Sequence, residues 1–261
     1  ARGFRWPHGP VEVIEHKERL GLKGNILACG DLTEHHDAVI VLEDDLYASP
    51  ELVEYARQAV DFYADDPSVG GISLYSPVHN EIPRLPFQPL HDGHDVYFMQ
   101  IPSSWGQCWT RSMWRSFRDW LAENSVASRP DIPLPQSFRN WEPTSWKKEF
   151  AGFLVDTGRY FVYPRTGYTT NFGDPGAHWR DATSALQCPL VPHAAAQGHP
   201  RRLCRLSESG AVYDAWSEIE PRLIQALNPD LASLDFDIDL YGTKRRADIT
   251  RPLVATIRRG A

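Results

Sequence analysis

Long apolar runs are missing from this sequence: none approaches the roughly 18 residues of a membrane-spanning helix. The opening Ala1-Arg2-Gly3-Phe4-Arg5-Trp6-Pro7 does not read as a signal peptide. None of the four cysteines (Cys29, Cys108, Cys188, Cys204) forms a Cys-x-x-Cys pair, which excludes a zinc ribbon or thioredoxin-type motif. Thiols so scattered fit a reducing compartment better than a disulfide scaffold, although proximity in space can still pair them. Basic charge is short as well. There are 27 Lys and Arg against 34 Asp and Glu, a formal net of −7. That opposes a chain-wide grip on nucleic acid, which needs cations to displace counterions from phosphate. Neither an internal repeat nor a long low-complexity segment is present.

What is there is material for a core. Hydrophobic residues make up 42% and aromatics 11%, which excludes a disordered chain. A length of 261 residues fits one core domain with an appendage, or one larger α/β domain. Nine tryptophans and 21 prolines are the unusual counts. Tryptophan fills cores, but its flat apolar face also meets sugars and bases.

The order of elements reads as α/β. Val11-Glu12-Val13-Ile14 alternates like a short strand. A helix is expected over 26–36. Ala38-Val39-Ile40-Val41-Leu42 is an unbroken apolar run, the mark of a strand buried on both faces. Ser49-Pro50-Glu51 supplies a cap, an N1 proline and a first-turn acid. Leu52, Ala56, Ala59, Val60 and Tyr63 then recur at helical spacing, and Val69–Tyr75 reads as another buried strand. Strand, helix, strand is the βαβ unit. Further helices are expected at 111–123 (Met113, Trp114, Phe117, Trp120 and Leu121 on one face) and from Thr144 to Asp156, with Gly158 as C-cap. Strands are expected at 96–100 and 159–163, and 126–143 reads as an irregular loop. Beyond residue 185 the texture changes. A linker-like stretch (189–200) precedes a helix over 211–227 and a strand over 234–240. The expected division is therefore a domain over 1–185 and an extension over 186–261.

The segment richest in chemistry is Glu43-Asp44-Asp45, ending the run 38–42. Three carboxylates at a buried strand's end repel one another and cost desolvation unless a cation is near. In extended chain Glu43 and Asp45 share one side and Asp44 takes the other. Carboxyl ends of parallel strands are where open α/β sheets bind ligands. A hard divalent cation that also bridges phosphates needs only one or two such carboxylates. The plain alternative is a solvated acidic turn leading into the next helix.

The run Val41-Leu42-Glu43-Asp44-Asp45-Leu46, followed by Ser49-Pro50 and an aromatic-bearing helix, resembles the GT-A glycosyltransferases, nearest to the N-acetylglucosaminyltransferase I type and bacterial family 2 enzymes. In these, Glu-Asp-Asp is a variant of the DxD motif. Other stretches are similar in order: Leu20-Gly21-Leu22 with Asn25; Ser104-Trp105-Gly106-Gln107-Cys108-Trp109; Ser145-Trp146 opening a helix; Tyr163-Pro164-Arg165; and Thr170-Asn171-Phe172-Gly173 through His178. The likeness covers about residues 11–180. It departs at the start, because no apolar strand with a base-cradling turn precedes Val11. On this resemblance the chain is expected to lack the first βα unit of such a domain.

The resemblance implies a GT-A sheet, mixed and mostly parallel, with flanking helices. It implies transfer of a sugar from a nucleotide-sugar, a UDP-sugar by preference, to a glycan or glycolipid hydroxyl, as in polysaccharide biosynthesis. Mn²⁺ or Mg²⁺ would sit at Asp45 with His178 completing its shell; Glu43, Asp44, Leu20, Gly21, Asn25, Trp105, Gly106 and Arg165 would border the donor. An inverting transfer needs a base for the acceptor proton. Glu149 is the best-matching position and Glu142 the second. Trp105 is expected on a sugar face, Trp114 and Trp120 in the core, and His35, His36, His91 and His94 in solvent. The implied location is cytoplasmic for a bacterial chain, with a membrane reached only through the acceptor. Two other classes compete: a non-catalytic carbohydrate-binding or scaffolding domain of the same fold, and a metal-dependent phosphohydrolase, which lacks a clear nucleophile.

Overall fold

The computed structural model describes residues 3–174, 181–193 and 201–258. In chain order the first half contains α1 (Gly21–Asp31), β1 (Ala38–Val41), β2 (Leu46–Ala48), α2 (Leu52–Tyr63), β3 (Val69–Ser73) and the two-residue strands β4 (His79–Asn80) and β5 (Leu85–Pro86). Then come β6 (Val96–Met99), β7 (Gln107–Thr110), α3 (Arg111–Glu123), α4 (Gln136–Arg139), α5 (Trp146–Thr157), β8 (Tyr160–Pro164) and β9 (Thr169–Asn171). The last part holds β10 (Val212–Tyr213), α6 (Pro221–Leu227), β11 (Phe236–Asp239) and β12 (Leu253–Thr256).

The central sheet has the order β1-β7-β3-β8-β6-β10. β3 with β8 and β6 with β10 are parallel pairs; β1 with β7, β7 with β3 and β8 with β6 are antiparallel. The expected α/β class and mixed sheet are present. β1 and β3 point the same way, as a βαβ unit requires, but β7 lies between them. Alternation along the strands sorts the side chains onto two faces. Cys108, Ile72, Val162 and Phe98 are register partners on one face, where Tyr63 of α2 meets Phe98 edge-on. Trp109 and Phe161 lie on the other, under α3 and α5, where both rings meet Phe150.

α3 and α5 begin where capping chemistry dictates. Thr110 Oγ1 accepts from the Met113 amide, and Ser145 Oγ accepts from Lys148. α5 ends on Gly158, whose φ of 65° is the left-handed cap foreseen for it. Gly30 is needed for close approach: a Cβ there would lie 2.2 Å from the Trp114 ring.

Several sequence expectations change, the first being the helix expected over 26–36, which is α1, Gly21–Asp31. Val11–Ile14 is not a strand; it is exposed and unpaired, since two alternations supply no partner to bond. Among the described residues β1 is an edge strand with β7 as its only partner, and only Val41 of its four residues is buried. An apolar run reports what a strand prefers to bury, not how many neighbours it has. The helix expected over 211–227 is confined to Pro221–Leu227. The Asp214 carboxylate accepts from the Trp216 and Glu218 amides, a local turn that competes with helix. Residues beyond 185 also do not stand apart. β10 extends the central sheet, and Cys204, Ala211, Val212, Trp216 and Phe236 join the same buried cluster as Trp109 and Phe150. All four cysteines are free thiols.

Trp114 is 2% exposed, lies against Trp109, Phe117 and Phe150, and donates to Asp31. Trp114→Ala should lower unfolding free energy by about 3–5 kcal/mol, read by urea denaturation. A loss under 1 kcal/mol would show that the helix layer does not depend on this ring.

Candidate functional site

The direction of the strands selects one edge of the sheet. β1, β3 and β8 run in one direction and open their carboxyl ends on the same side. α1 and α5 each lead into one of these strands, so both begin near that edge. The Lys23 ammonium, in the first turn of α1, lies 3.7 Å from the Glu149 carboxylate in the first turn of α5.

Glu43, Asp44 and Asp45 follow β1 at this edge. The chain turns at Asp44–Asp45 and departs from the strict alternation of extended chain. β2 then pairs antiparallel with β9, the Phe172 amide donates to the Asp45 carbonyl at 3.0 Å, and the Tyr47 and Phe172 rings meet at 4.2 Å. Backbone and ring contacts therefore hold the turn despite its charge. Asp44 and Asp45 are exposed, whereas Glu43 is half-buried. Burial raises the Glu43 carboxyl to about 7; repulsion from Asp45 and, more weakly, Asp44 adds to this, and the Lys147 ammonium opposes it.

The other sequence candidates divide. Leu20 and Asn25 are exposed at the start of α1, and Gly21 has φ 69° with open space where a Cβ would stand. Trp105 is half-buried and edge-on to Tyr75 at 4.9 Å. Gly106 has φ 92°, and a Cβ there would meet Thr169 Oγ1 at 2.8 Å, so this loop requires glycine. Trp114 and Trp120 are core, as expected.

Arg165 is committed within the fold: it pairs with Asp92 at 2.8 Å and donates to the His94 carbonyl at 2.7 Å. Its charge is balanced by Asp92, not free for a diphosphate. Glu149 is 6% exposed, and its Oε2 accepts from the Val126 amide at 2.8 Å. Glu142 is exposed, in a loop fixed by its neighbours. Its carbonyl accepts from Ser145, and Lys148 Nζ donates to the carbonyls of Arg139 (2.7 Å) and Trp141 (2.9 Å). His178 lies outside the described residues.

A cavity is lined by residues that include Trp105, Trp141 and Lys147, and Lys147 is also the cation that acts on Glu43. Lys147 Nζ stands over the Trp141 ring, 5.3 Å from its centre. Sequence reasoning missed Lys147 and Trp141. Their signal was present, since Lys147 follows the Ser145 cap and Trp141 precedes the candidate Glu142, but neither residue type identifies a site alone. Gln107 was missed as well. It is fully buried in register with Val41 and Ser73, and both amide atoms lack a partner among the described residues.

Among the described residues no cluster of three or more His, Cys, Asp or Glu is assembled as a metal site. The donor chemistry of the acid turn nevertheless fits a hard cation. Carboxylate oxygens suit such an ion, and a cation would offset both the burial and the like-charge repulsion that raise Glu43.

The sign of the Glu43 shift sets a pH dependence. A carboxyl raised from 4.5 to about 7 on folding stabilises the fold below pH 4.5, and that contribution is lost as pH rises through 7. Glu218, raised to about 7 chiefly by burial, acts in the same direction. Melting temperature should therefore fall between pH 5 and 8, and Glu43→Gln should flatten part of the decline. An identical slope in the variant would show that Glu43 titrates normally.

No family model matches the chain, and the comparison with curated proteins found no match.

Proposed function

We propose that the chain is a GT-A-type glycosyltransferase that moves a sugar from a nucleotide-sugar, a UDP-sugar by preference, to a hydroxyl of a glycan or glycolipid acceptor with inversion. One observation carries this reading. Three carboxylates meet at the carboxyl end of β1, with Glu43 driven to about 7 and Lys147 opposing it, beside an aromatic-rimmed cavity. An acid turn that disfavours its own charge is suited to a cation and a polyphosphate bound together.

Asp45, with Glu43 beside it, would hold Mn²⁺ or Mg²⁺, which supplies electrostatic stabilisation to a departing diphosphate. His178 remains the proposed second ligand. Lys147, in the first turn of α5, adds positive charge next to the acid turn, where the positive end of the helix dipole also favours an anion. The exposed first-turn residues Leu20, Gly21 and Asn25 are proposed to border the nucleotide, and Trp105 the sugar.

Glu142 takes the role of general base. It is exposed, next to Trp141 on the cavity rim, and its main chain is anchored by Lys148 and Ser145. Glu149 is a structural group instead: its carboxylate satisfies Val126 and pairs with Lys23. A non-catalytic carbohydrate-binding domain is the second reading. The unpaired outer edge of β1 among the described residues favours it, because no strand there walls a nucleotide base.

Calorimetric titration of UDP and GDP with and without Mn²⁺ separates the two. The transferase reading expects at least tenfold tighter binding with metal, lost in Asp45→Ala without a fall in melting temperature. Equal affinity in both conditions would overturn the joint site.

The base assignment has its own outcome. Glu142→Gln should lower turnover of the UDP-sugar by about 10²–10⁴ with donor Kd unchanged. Glu149→Ala should instead cost about 1–3 kcal/mol of stability, by orphaning the Val126 amide. If Glu149→Gln abolishes turnover in a fully stable protein while Glu142→Gln does not, the roles are reversed.

A further inference from the structure

The cavity beside the acid turn has a composition that says what it binds. Its floor is made of buried side chains: Tyr75, Phe87, Met99, Phe138 and Tyr163. Ile82 and Ile101 form half-buried walls, and Trp105, Trp141 and Lys147 stand at the rim. The lining also contains hydroxyls, and the hydrogens of Tyr75, Tyr163 and Ser103 are spent inside the protein. Tyr75 donates to the Leu186 carbonyl at 2.7 Å, Tyr163 to the Ile101 carbonyl at 2.8 Å, and Ser103 to the Gly106 carbonyl at 3.3 Å. Asn80 is engaged likewise, with its Oδ1 accepting from the Ile82 amide at 3.1 Å and its Nδ2 donating to the Trp216 carbonyl at 3.4 Å.

These commitments decide the chemistry. A sugar ring pushed to the floor would strip water from several hydroxyls and recover few hydrogen bonds, which is unfavourable. An apolar group would lose nothing there and gain burial against aromatic and thioether carbons. The rim is different. Lys147 lines the cavity and is the cation that acts on Glu43, and Glu81 and His79 add polar groups to the lining. The lining is amphipathic: its buried side chains are mostly apolar, and its charged groups, Lys147 and Glu81, are half-buried or exposed.

We infer that the cavity binds an apolar substituent of the acceptor, an aryl ring or alkyl chain, while the acceptor's hydroxylated part stays at the rim beside Lys147 and Glu142. The inference rests on the transferase reading and refines it. The acceptor is an amphipathic glycoside or aglycone, not a bare oligosaccharide.

Three probes with one sugar isolate the apolar part: methyl, phenyl and octyl β-D-glucopyranoside, the last kept below its micelle concentration. Each is titrated calorimetrically into the full chain. The phenyl or octyl glycoside should bind at least tenfold tighter than the methyl one. Preference for phenyl identifies an aryl group and preference for octyl a lipid chain. Ile82→Glu places a charge on the wall without touching the acid turn. It should abolish the preference in a protein that stays folded, with Mn²⁺-dependent UDP binding unchanged.

Equal affinity for all three glycosides, or a preference that survives both Ile82→Glu and Trp141→Ala, would overturn the inference. UDP titrations on the same samples keep the two readings apart. Metal-dependent UDP binding without an apolar preference sinks only the acceptor claim. An apolar preference without UDP binding sinks the transferase reading and leaves an apolar-ligand site.

Discussion

The aromatic wedge between the sheet and the pair α3–α5 is the contact on which the rest of the structure depends. Phe150 lies within ring-contact distance of Trp109, Trp114, Phe117, Trp146, Phe153 and Phe161, which come from two strands and both helices. Burying so many large rings is the main stabilising term for this half of the molecule. It also fixes α5 along its axis. The first turn of α5 presents Lys147 toward the acid turn, so the electrostatics at the end of β1 are set by packing several residues away.

Glutamates at the same sheet edge meet different fates because their surroundings differ. Glu43 sits half-buried among like charges and is raised to about 7. Glu149 is more deeply buried, yet it has a backbone donor and a lysine. Burial with partners leaves a carboxylate satisfied within the fold, whereas burial against like charge raises its pKa. Glu142, exposed beside the cavity, keeps its oxygens in solvent.

The last third of the chain contributes Ser217 to the cavity lining. Lys244 bonds Asp214 at 2.6 Å and stands over the Trp216 ring, and the Tyr241 amide donates to Glu218. These bonds hold the turn that carries Ser217, with φ 59°, into the cavity lining. A segment whose sequence reads as an appendage is thus part of the same core and of the candidate acceptor region. No helix among the described residues is long and apolar enough to cross a membrane.

The sequence by itself determined the elements with strong periodicity and caps. α2, α3 and α5 and the strands β1, β3, β6 and β8 all fall where spacing, capping residues and apolar runs put them, within a few residues. It also located the acid turn, because three carboxylates after an apolar strand carry a local electrostatic cost. Tertiary structure decided the rest. β7, in the Trp-Gly loop region, became a central strand between β1 and β3, and β10 became a sheet edge. Pairing partners lie far apart in sequence, and no local pattern encodes them. The same holds for the glutamates: Glu142 and Glu149 are seven residues apart and alike in type, and only the fold gave one of them the Val126 amide and Lys23 while leaving the other in solvent. Environment separates identical side chains, and environment comes from the whole chain.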